Sequence, residues 1–273
     1  MSSDGDLLTR RVLLELMERH GLEPHRTLGQ NYVVDANTIR RIVRLADVSV
    51  GEHVLEIGSG LGSLTLGLLA AGAVVTAVEI DQRVVAAFTD VTGGRATLVV
   101  GDAMELDLEA VTETGSLVVA NLPYNVATPL VLRVLDEVPS VQRLLVMVQR
   151  EVGERWAAGA GDSQRGIPSV RVEWWATARV VGSVSAEVFH PRPKVASVLV
   201  EITRRIDVPD VPLSSFIRLV RTAFGQRRKM LRRSLDGVVS ADAFTAANVD
   251  SSARPEVLTL HDWVNLTRAV APV

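Results

Sequence analysis

The sequence predicts an α/β fold: a parallel sheet covered by helices on both faces, followed by a small all-helical domain. Three observations predict it. Between residues 53 and 148, short β-branched runs alternate with helix-patterned segments, as strands buried on both faces do. A proline-rich shift in composition at Asp207-Val208-Pro209-Asp210-Val211-Pro212 then marks a linker. Beyond it no strand pattern recurs, and the apolar residues keep helical spacing. The expected domains are therefore residues 1–206, including a helical extension over 1–50, and residues 207–273.

The first helix is expected from near Asp4 to His20, with Gly21 as its stop. A loop follows, Arg26-Thr27-Leu28-Gly29-Gln30-Asn31-Tyr32. Asp35 is then placed to cap a second helix, in which Ile39, Ile42, Val43 and Ala46 recur at helical spacing. Strands are expected over residues 53–57, 74–80, 97–100, 117–120 and 144–148. Two more, over 180–189 and 197–202, flank His190-Pro191-Arg192-Pro193-Lys194.

Composition narrows the function classes. Of the 273 residues, 47% are hydrophobic, enough for a sizeable core and too many for a disordered chain. No apolar run approaches the roughly 20 residues a membrane span needs. Val12-Leu13-Leu14 is interrupted by Glu15 and Glu18, so no secretion signal is read there. The absence of cysteine excludes disulfides, thiolate zinc sites and a cysteine nucleophile, and no metal site is expected. A cytoplasmic protein follows by elimination. The net charge is only −3, but between Leu213 and Leu235 every ionisable residue is basic: Arg218, Arg221, Arg227, Arg228, Lys229, Arg232 and Arg233. Such a run is either a solvated helical face or a surface for phosphates.

Ligands of parallel sheets sit at the carboxyl ends of the strands. Val54-Leu55-Glu56-Ile57-Gly58-Ser59-Gly60-Leu61-Gly62 runs from a strand through a glycine turn into a helix. Alone, it is either a tight turn or a cofactor cradle. Its third glycine comes one position too early for the usual dinucleotide pattern. Glu79, ending the next strand, is placed for ribose hydroxyls, and Asp102, ending the one after, for the exocyclic amine of an adenine, with Ala103 beside it. Together these three strand ends describe an S-adenosylmethionine pocket.

The fourth strand ends in Asn121-Leu122-Pro123-Tyr124. The side-chain oxygen of Asn121 and the carbonyl of Leu122 can both accept from an amino group on a planar base. That aims the nitrogen lone pair at a methyl donor and stabilises positive charge as it forms. Pro123 fixes the backbone angle, and Tyr124 can stack on the base. Phe189 is either ordinary core or the opposite wall of the base site. Arg192 and Lys194 lie near phosphates or on a solvated face.

These motifs resemble, in order and spacing, those of the ribosomal RNA adenine dimethyltransferase family: Gly29-Gln30-Asn31, Glu56-Ile57-Gly58-Ser59-Gly60, Asn121-Leu122-Pro123-Tyr124 and Phe189-x-Pro191-x-Pro193-Lys194-Val195. The resemblance covers essentially the whole chain. It implies a class I, Rossmann-like methyltransferase with a seven-stranded, mostly parallel sheet, its last strand antiparallel, plus a small all-α C-terminal domain. It implies a cofactor site lined by Asn31, Val33, Gly58, Glu79, Asp102 and Asn121, with Gln30, Gly60 and Ala103 as further candidates. Asn121, Leu122, Tyr124 and Phe189 would surround the target base. Arg192, Lys194, Arg221, Arg227, Arg228, Lys229 and Arg232 would hold RNA. Phe224-Gly225-Gln226-Arg227-Arg228-Lys229 looks like the branch that dimethylates two neighbouring adenines in the 3′-terminal hairpin loop of small-subunit RNA during ribosome assembly. The expected partner is then the immature small subunit, met by a monomer. Tyr32-Val33 and Ser59 depart from the more usual Phe-Leu and Pro. The alternatives are the large-subunit, macrolide-resistance type, a non-catalytic assembly factor and a nicotinamide-dependent oxidoreductase.

Overall fold

The structure, a computed structural model, describes residues 7–25 and 28–270. Two compact units emerge: Met1–Gly153 with Arg179–Arg204, and Glu154–Ala178 with Arg205–Val273.

The first unit opens with helix α1 (Arg10–Arg19), the two-residue strand β1 (Tyr32–Val33) and helix α2 (Ala36–Ala46). The expected start of α1 near Asp4 is corrected to Arg10, because the Thr9 side chain accepts from the Val12 N–H and caps the helix there. Residues 4–6 of that expectation, and Arg26 and Thr27 of the following loop, lie outside the described residues. Asp35 caps α2 as its position suggests, accepting from the Thr38 N–H at 2.7 Å.

Strands and helices then alternate: β2 (His53–Ile57), α3 (Ser63–Ala70), β3 (Val74–Glu79), α4 (Val85–Thr92), β4 (Thr97–Val100), β5 (Ser116–Asn121), α5 (Ala127–Glu137) and β6 (Val141–Gln149). Helices α6 (Arg150–Ala157) and α7 (Ile167–Trp175) follow, then β7 (Ala176–Val184), β8 (Phe189–His190) and β9 (Ser197–Arg204). Seven strands form one sheet in the order β4-β3-β2-β5-β6-β9-β7. The pairs from β4 through β6 are parallel, and β6–β9 is antiparallel. Chain order runs outward from β2 on one side and resumes at β5 on the other. That reversal opens a crevice beyond the carboxyl ends of β2 and β5, where ligands of such sheets lie.

The expected strand over 180–189 is two elements. Ser185 accepts from the Glu187 N–H and turns the chain after β7. Phe189 and His190 then pair antiparallel with Val33 and Tyr32 in a separate ribbon. Val184, Ala186 and Val188 alternate with Ser185 and Glu187 through the turn as they would along a half-buried strand, so the pattern alone did not divide it.

Helices α8 (Leu213–Gly225), α9 (Leu231–Ser234), α10 (Ala241–Ala246) and α11 (Leu260–Val270) make up the rest of the second unit. The expected boundary between 206 and 207 is corrected: residues 154–178 belong to this unit. The Trp174 ring packs 4.3 Å from Phe216. Arg165, fully buried, donates to Ala158 O and Leu258 O at 3.0 Å each and pairs with Glu173. A segment that precedes β7 in sequence thus shares the core of helices that follow β9.

Within the first unit, α6 lies close against β9. A Cβ at Gly153 would stand 2.5 Å from Val198 Cγ2 and 2.7 Å from Val200 Cγ2. Alanine favours helices over glycine by about 1 kcal/mol, but overpacking costs about 1–3 kcal/mol. Gly153→Ala is therefore expected to lower the urea midpoint of unfolding. A raised midpoint would show that β9 yields freely.

Candidate active site

The crevice holds a cavity of about 260 Å³, bounded by the segments that follow β2, β3, β4 and β5 and by the loop before β1. Each wall follows from local chain geometry. Gly58 and Gly60 take φ of +76° and +54°, a region where side chains are strained. A Cβ at Gly60 would meet the Tyr32 ring at 2.7 Å, so β1 seats its aromatic ring where a side chain would have stood.

Glu79 ends β3, almost fully buried. Its Oε2 accepts from the Gly60 N–H at 2.7 Å and its Oε1 from the Asp81 N–H at 2.9 Å. Burial pushes its pKa up, and these backbone donors oppose that shift. Asp81 lies one step further on. A hydrogen-bonded ion pair with Arg83, joined by a 2.9 Å bond from Gln30 Nε2, holds its carboxyl down at about 2. Gln30 Oε1 meanwhile accepts from the His25 N–H at 2.8 Å. Gln30 lines the cavity, yet its amide is spent on clipping the loop to the end of β3.

Asp102, after β4, accepts from the Met104 N–H through Oδ1 at 2.8 Å. Its Oδ2 takes no other partner among the described residues. Asn121, at the end of β5, donates through Nδ2 to the Asn31 carbonyl at 2.8 Å. A carbonyl can only accept, so the amide must present its NH₂ there, and Oδ1 has no partner among the described residues. Gly29 lies against Pro123, 3.2 Å from where its Cβ would be. Tyr124 is half-buried, and its hydroxyl shares a 2.9 Å bond with Ser197 Oγ at the start of β9. Burial raises that phenol's pKa.

Of the expected residues, Gln30, Asn31, Gly58, Gly60, Glu79, Asp102, Ala103, Asn121, Leu122 and Tyr124 all line the cavity. Val33 and Phe189 do not. Phe189 is 1% exposed and packs with Val33, Ile39 and Leu199 in the core, so the base-wall alternative is corrected to the core one. The β1–β8 ribbon turns both side chains inward. Ile80, Met104 and Ser197 were not anticipated. Ile80 is 45% exposed beside Glu79, and an apolar residue bared next to a strand-end acid was a usable signal. Ser197 had none, since only the fold brings it to Tyr124.

No lysine, arginine or histidine lines the cavity among the described residues, whereas two carboxyl groups do. Pyrophosphate has no cation to meet there, and the Gly60 N–H of the glycine turn is already taken by Glu79, so a dinucleotide fits poorly. A positively charged sulfonium nucleoside fits: Asp102 Oδ2 can take its ring amine, and Glu79 the ribose hydroxyls. No group of three potential metal ligands occurs among the described residues.

In the second unit, Arg221, Arg228, Lys229 and Arg232 are exposed on or beside α8 and α9. Arg227 is half-buried, donating to Ser163 O and lying 3.8 Å from Glu256, so it also holds this unit together. Arg192 and Lys194 are exposed on the loop after β8, with Glu187 3.7 Å from Arg192.

A mixed seven-stranded sheet with its ligand crevice between β2 and β5, and a turn of the Asn-Leu-Pro-Tyr kind after β5, defines a class I methyltransferase. The family model described as ribosomal RNA adenine dimethylase matches residues 21–271, and the chain belongs to that family. A relative named ribosomal RNA small subunit methyltransferase A, from Leifsonia xyli, is 46% identical over 95% of this chain and 97% of its own length. The crystal structure of a dimethyladenosine transferase from Plasmodium falciparum matches 85% of this chain and 94% of its own, with a TM-score of 0.75 and 23% identity. That of the 23S rRNA methyltransferase ErmE matches 88% and 99%, with a TM-score of 0.69 and 23% identity. The two structures share the fold.

One buried acid near the site makes stability depend on pH. Glu56, on β2, is 1% exposed, and burial pushes its carboxyl from 4.5 up to about 8, against a 2.5 Å bond from the Thr65 hydroxyl. Below 4.5 both folded and unfolded chains hold this proton. Between 4.5 and about 8 only the unfolded chain releases it, so stability falls; above 8 both are ionised and the slope vanishes. Glu56→Gln is expected to melt higher than the parent at pH 8, with the gap narrowing towards pH 5. A gap independent of pH would show that Glu56 titrates normally.

Proposed function

We propose that this chain transfers methyl groups from S-adenosylmethionine to the N6 of two adjacent adenines in the 3′-terminal hairpin loop of small-subunit ribosomal RNA, during ribosome assembly. One observation carries the reading. Among the described residues, the pocket is lined by two carboxyl groups and no cation, and it ends at an asparagine whose side-chain oxygen has no partner.

S-adenosylmethionine bound there supplies an electrophilic methyl group. The adenine amine is a poor nucleophile because its lone pair is spread into the ring. Asn121 Oδ1 and the Leu122 carbonyl accept its two hydrogens and draw the nitrogen towards tetrahedral geometry. They also stabilise the positive charge that grows on it, as an oxyanion hole does for negative charge. Tyr124 offers a stacking face, worth about 1–3 kcal/mol per base, on a ring whose hydroxyl tip is anchored by Ser197. Nothing in this scheme needs a strong base, because the methylated nitrogen can release its proton to water afterwards. Positioning carries the rate.

A hairpin loop presents unstacked bases, the form in which RNA sequence is read by proteins. The exposed cations of the second unit suit its phosphates. The relative from Leifsonia xyli, named for the small subunit, supports that subunit as the substrate.

Asn121→Ala is expected to lower methyl transfer to small-subunit RNA by about 10²–10³-fold while RNA affinity stays within about twofold. Primer extension across the 3′ end of that RNA, from a strain lacking the protein and complemented with parent or variant, reads it. Methylation by the variant at the parent rate would sink the mechanism. Replacing Arg228 and Lys229 together with alanine should reduce the slope of log affinity against log salt by about 1.5. Arg227→Ala should instead lower the thermal midpoint and move that slope less. A slope change for Arg227→Ala of half that of the double variant would mean that Arg227 is as available to RNA as each of its neighbours.

A further inference from the structure

Asp102 and Ala103 sit on a short turn after β4, and what holds that turn lies outside the cavity. Within the turn, Asp102 Oδ1 accepts from the Met104 N–H at 2.8 Å, and the Asp102 carbonyl accepts from the Glu105 and Leu106 N–H groups at 2.9 Å each. From α5 comes Arg133. Its Nη1 donates to Ala103 O at 2.5 Å and its Nη2 to Leu106 O at 2.9 Å. Its Nε donates to Glu137 Oε2 at 2.8 Å, one helical turn further along. The Arg133 side chain is 18% exposed, so these bonds form largely out of water.

A guanidinium is rigid and planar, with donors at fixed spacing, so it can hold two carbonyls at a set separation in a way a lysine cannot. The helix it rides on begins two residues after Asn125 and lines the cavity with Leu130. The clamp therefore ties the turn bearing Asp102 to the helix that leads away from Asn121.

We infer that Arg133 is a positioning residue for adenine recognition: by bridging Ala103 O and Leu106 O it sets where Asp102 meets the ring amine of the cofactor. This rests on the S-adenosylmethionine reading above. Arg133 touches neither ligand nor reacting atoms; it acts through the turn.

Titration calorimetry tests it with S-adenosylhomocysteine and its inosine counterpart, in which a carbonyl oxygen replaces the ring amine. The parent is expected to prefer the adenosine compound by at least about tenfold, because the carbonyl offers Asp102 no donor. In Arg133→Met, which keeps the apolar stem, that preference should fall towards parity, chiefly by loss of adenosine affinity. Arg133→Lys should lie between. Amide exchange without ligand gives a second reading: the Met104, Glu105 and Leu106 N–H groups should exchange at least about tenfold faster in Arg133→Met. An unchanged preference, or equal weakening of both compounds, overturns the inference. So does unaltered exchange of the three amides, whatever the ligands do. A parent that binds neither compound, or does not discriminate between them, overturns the cofactor reading and this inference with it, while faster exchange in the variant would still mark the clamp as real. If Arg133→Met does not fold, Arg133→Lys carries both measurements.

Discussion

The hydrogen bond from Asn121 Nδ2 to the Asn31 carbonyl is the constraint on which the rest of the site depends. A carboxamide has two faces of opposite character, and a free asparagine would offer either to an incoming amine. Because Asn31 presents a carbonyl, only the NH₂ can point that way, and Oδ1 is committed to the other side. The bond is worth about 1 kcal/mol in stability. Its importance is orientational, since it fixes the only side-chain acceptor proposed for the substrate nitrogen.

Holding Asn31 in turn requires an unusual amount of structure for a loop. Gln30 clips it to Asp81, whose charge Arg83 neutralises. Gly29 lets it approach Pro123 closely. Tyr32 and Val33 then pair with His190 and Phe189. The same segment thus spans from the acid end of β3 to the turn after β5. The end of β3 that carries Glu79, proposed for the ribose, and Asn121, proposed for the amine, thus share one support.

Much of this was legible in the sequence, for a physical reason. Strands buried on both faces read as unbroken apolar runs, so β2 to β6 and β9 were found close to their true limits. The residues proposed to meet ligands, Glu79, Asp102 and Asn121, stand at or just after strand ends, where ligands of parallel sheets are sought, and all three line the cavity. What escaped depends on partners distant in the chain. The alternation of apolar and polar residues continues from β7 into β8 and does not mark the turn at Ser185. Phe189 looks equally suited to a base or a core, and only its pairing with Val33 decides. Arg227 is identical in kind to Arg228 but meets Glu256 and Ser163 O. Residues 154–178 precede the last sheet strands and yet pack with helices beyond them, which no linear composition shift announces.

Phe189, though buried, belongs to the support of the proposed site. The loop after it carries Arg192 and Lys194 and is tethered at both ends. At one end Phe189 lies in the core beneath β1; at the other, Ser197 begins β9 and bonds the Tyr124 hydroxyl. The first tether reaches Asn121 through Asn31, and the second reaches Tyr124 directly. Both proposed contacts of the base are therefore braced by the ends of one loop, neither of which touches the base. For a reaction whose main requirement is alignment, a misplacement of about 1 Å can cost on the order of 10²-fold in rate. Buried and paired with Val33, Phe189 helps hold the strand that follows Asn31, whose carbonyl orients the Asn121 amide.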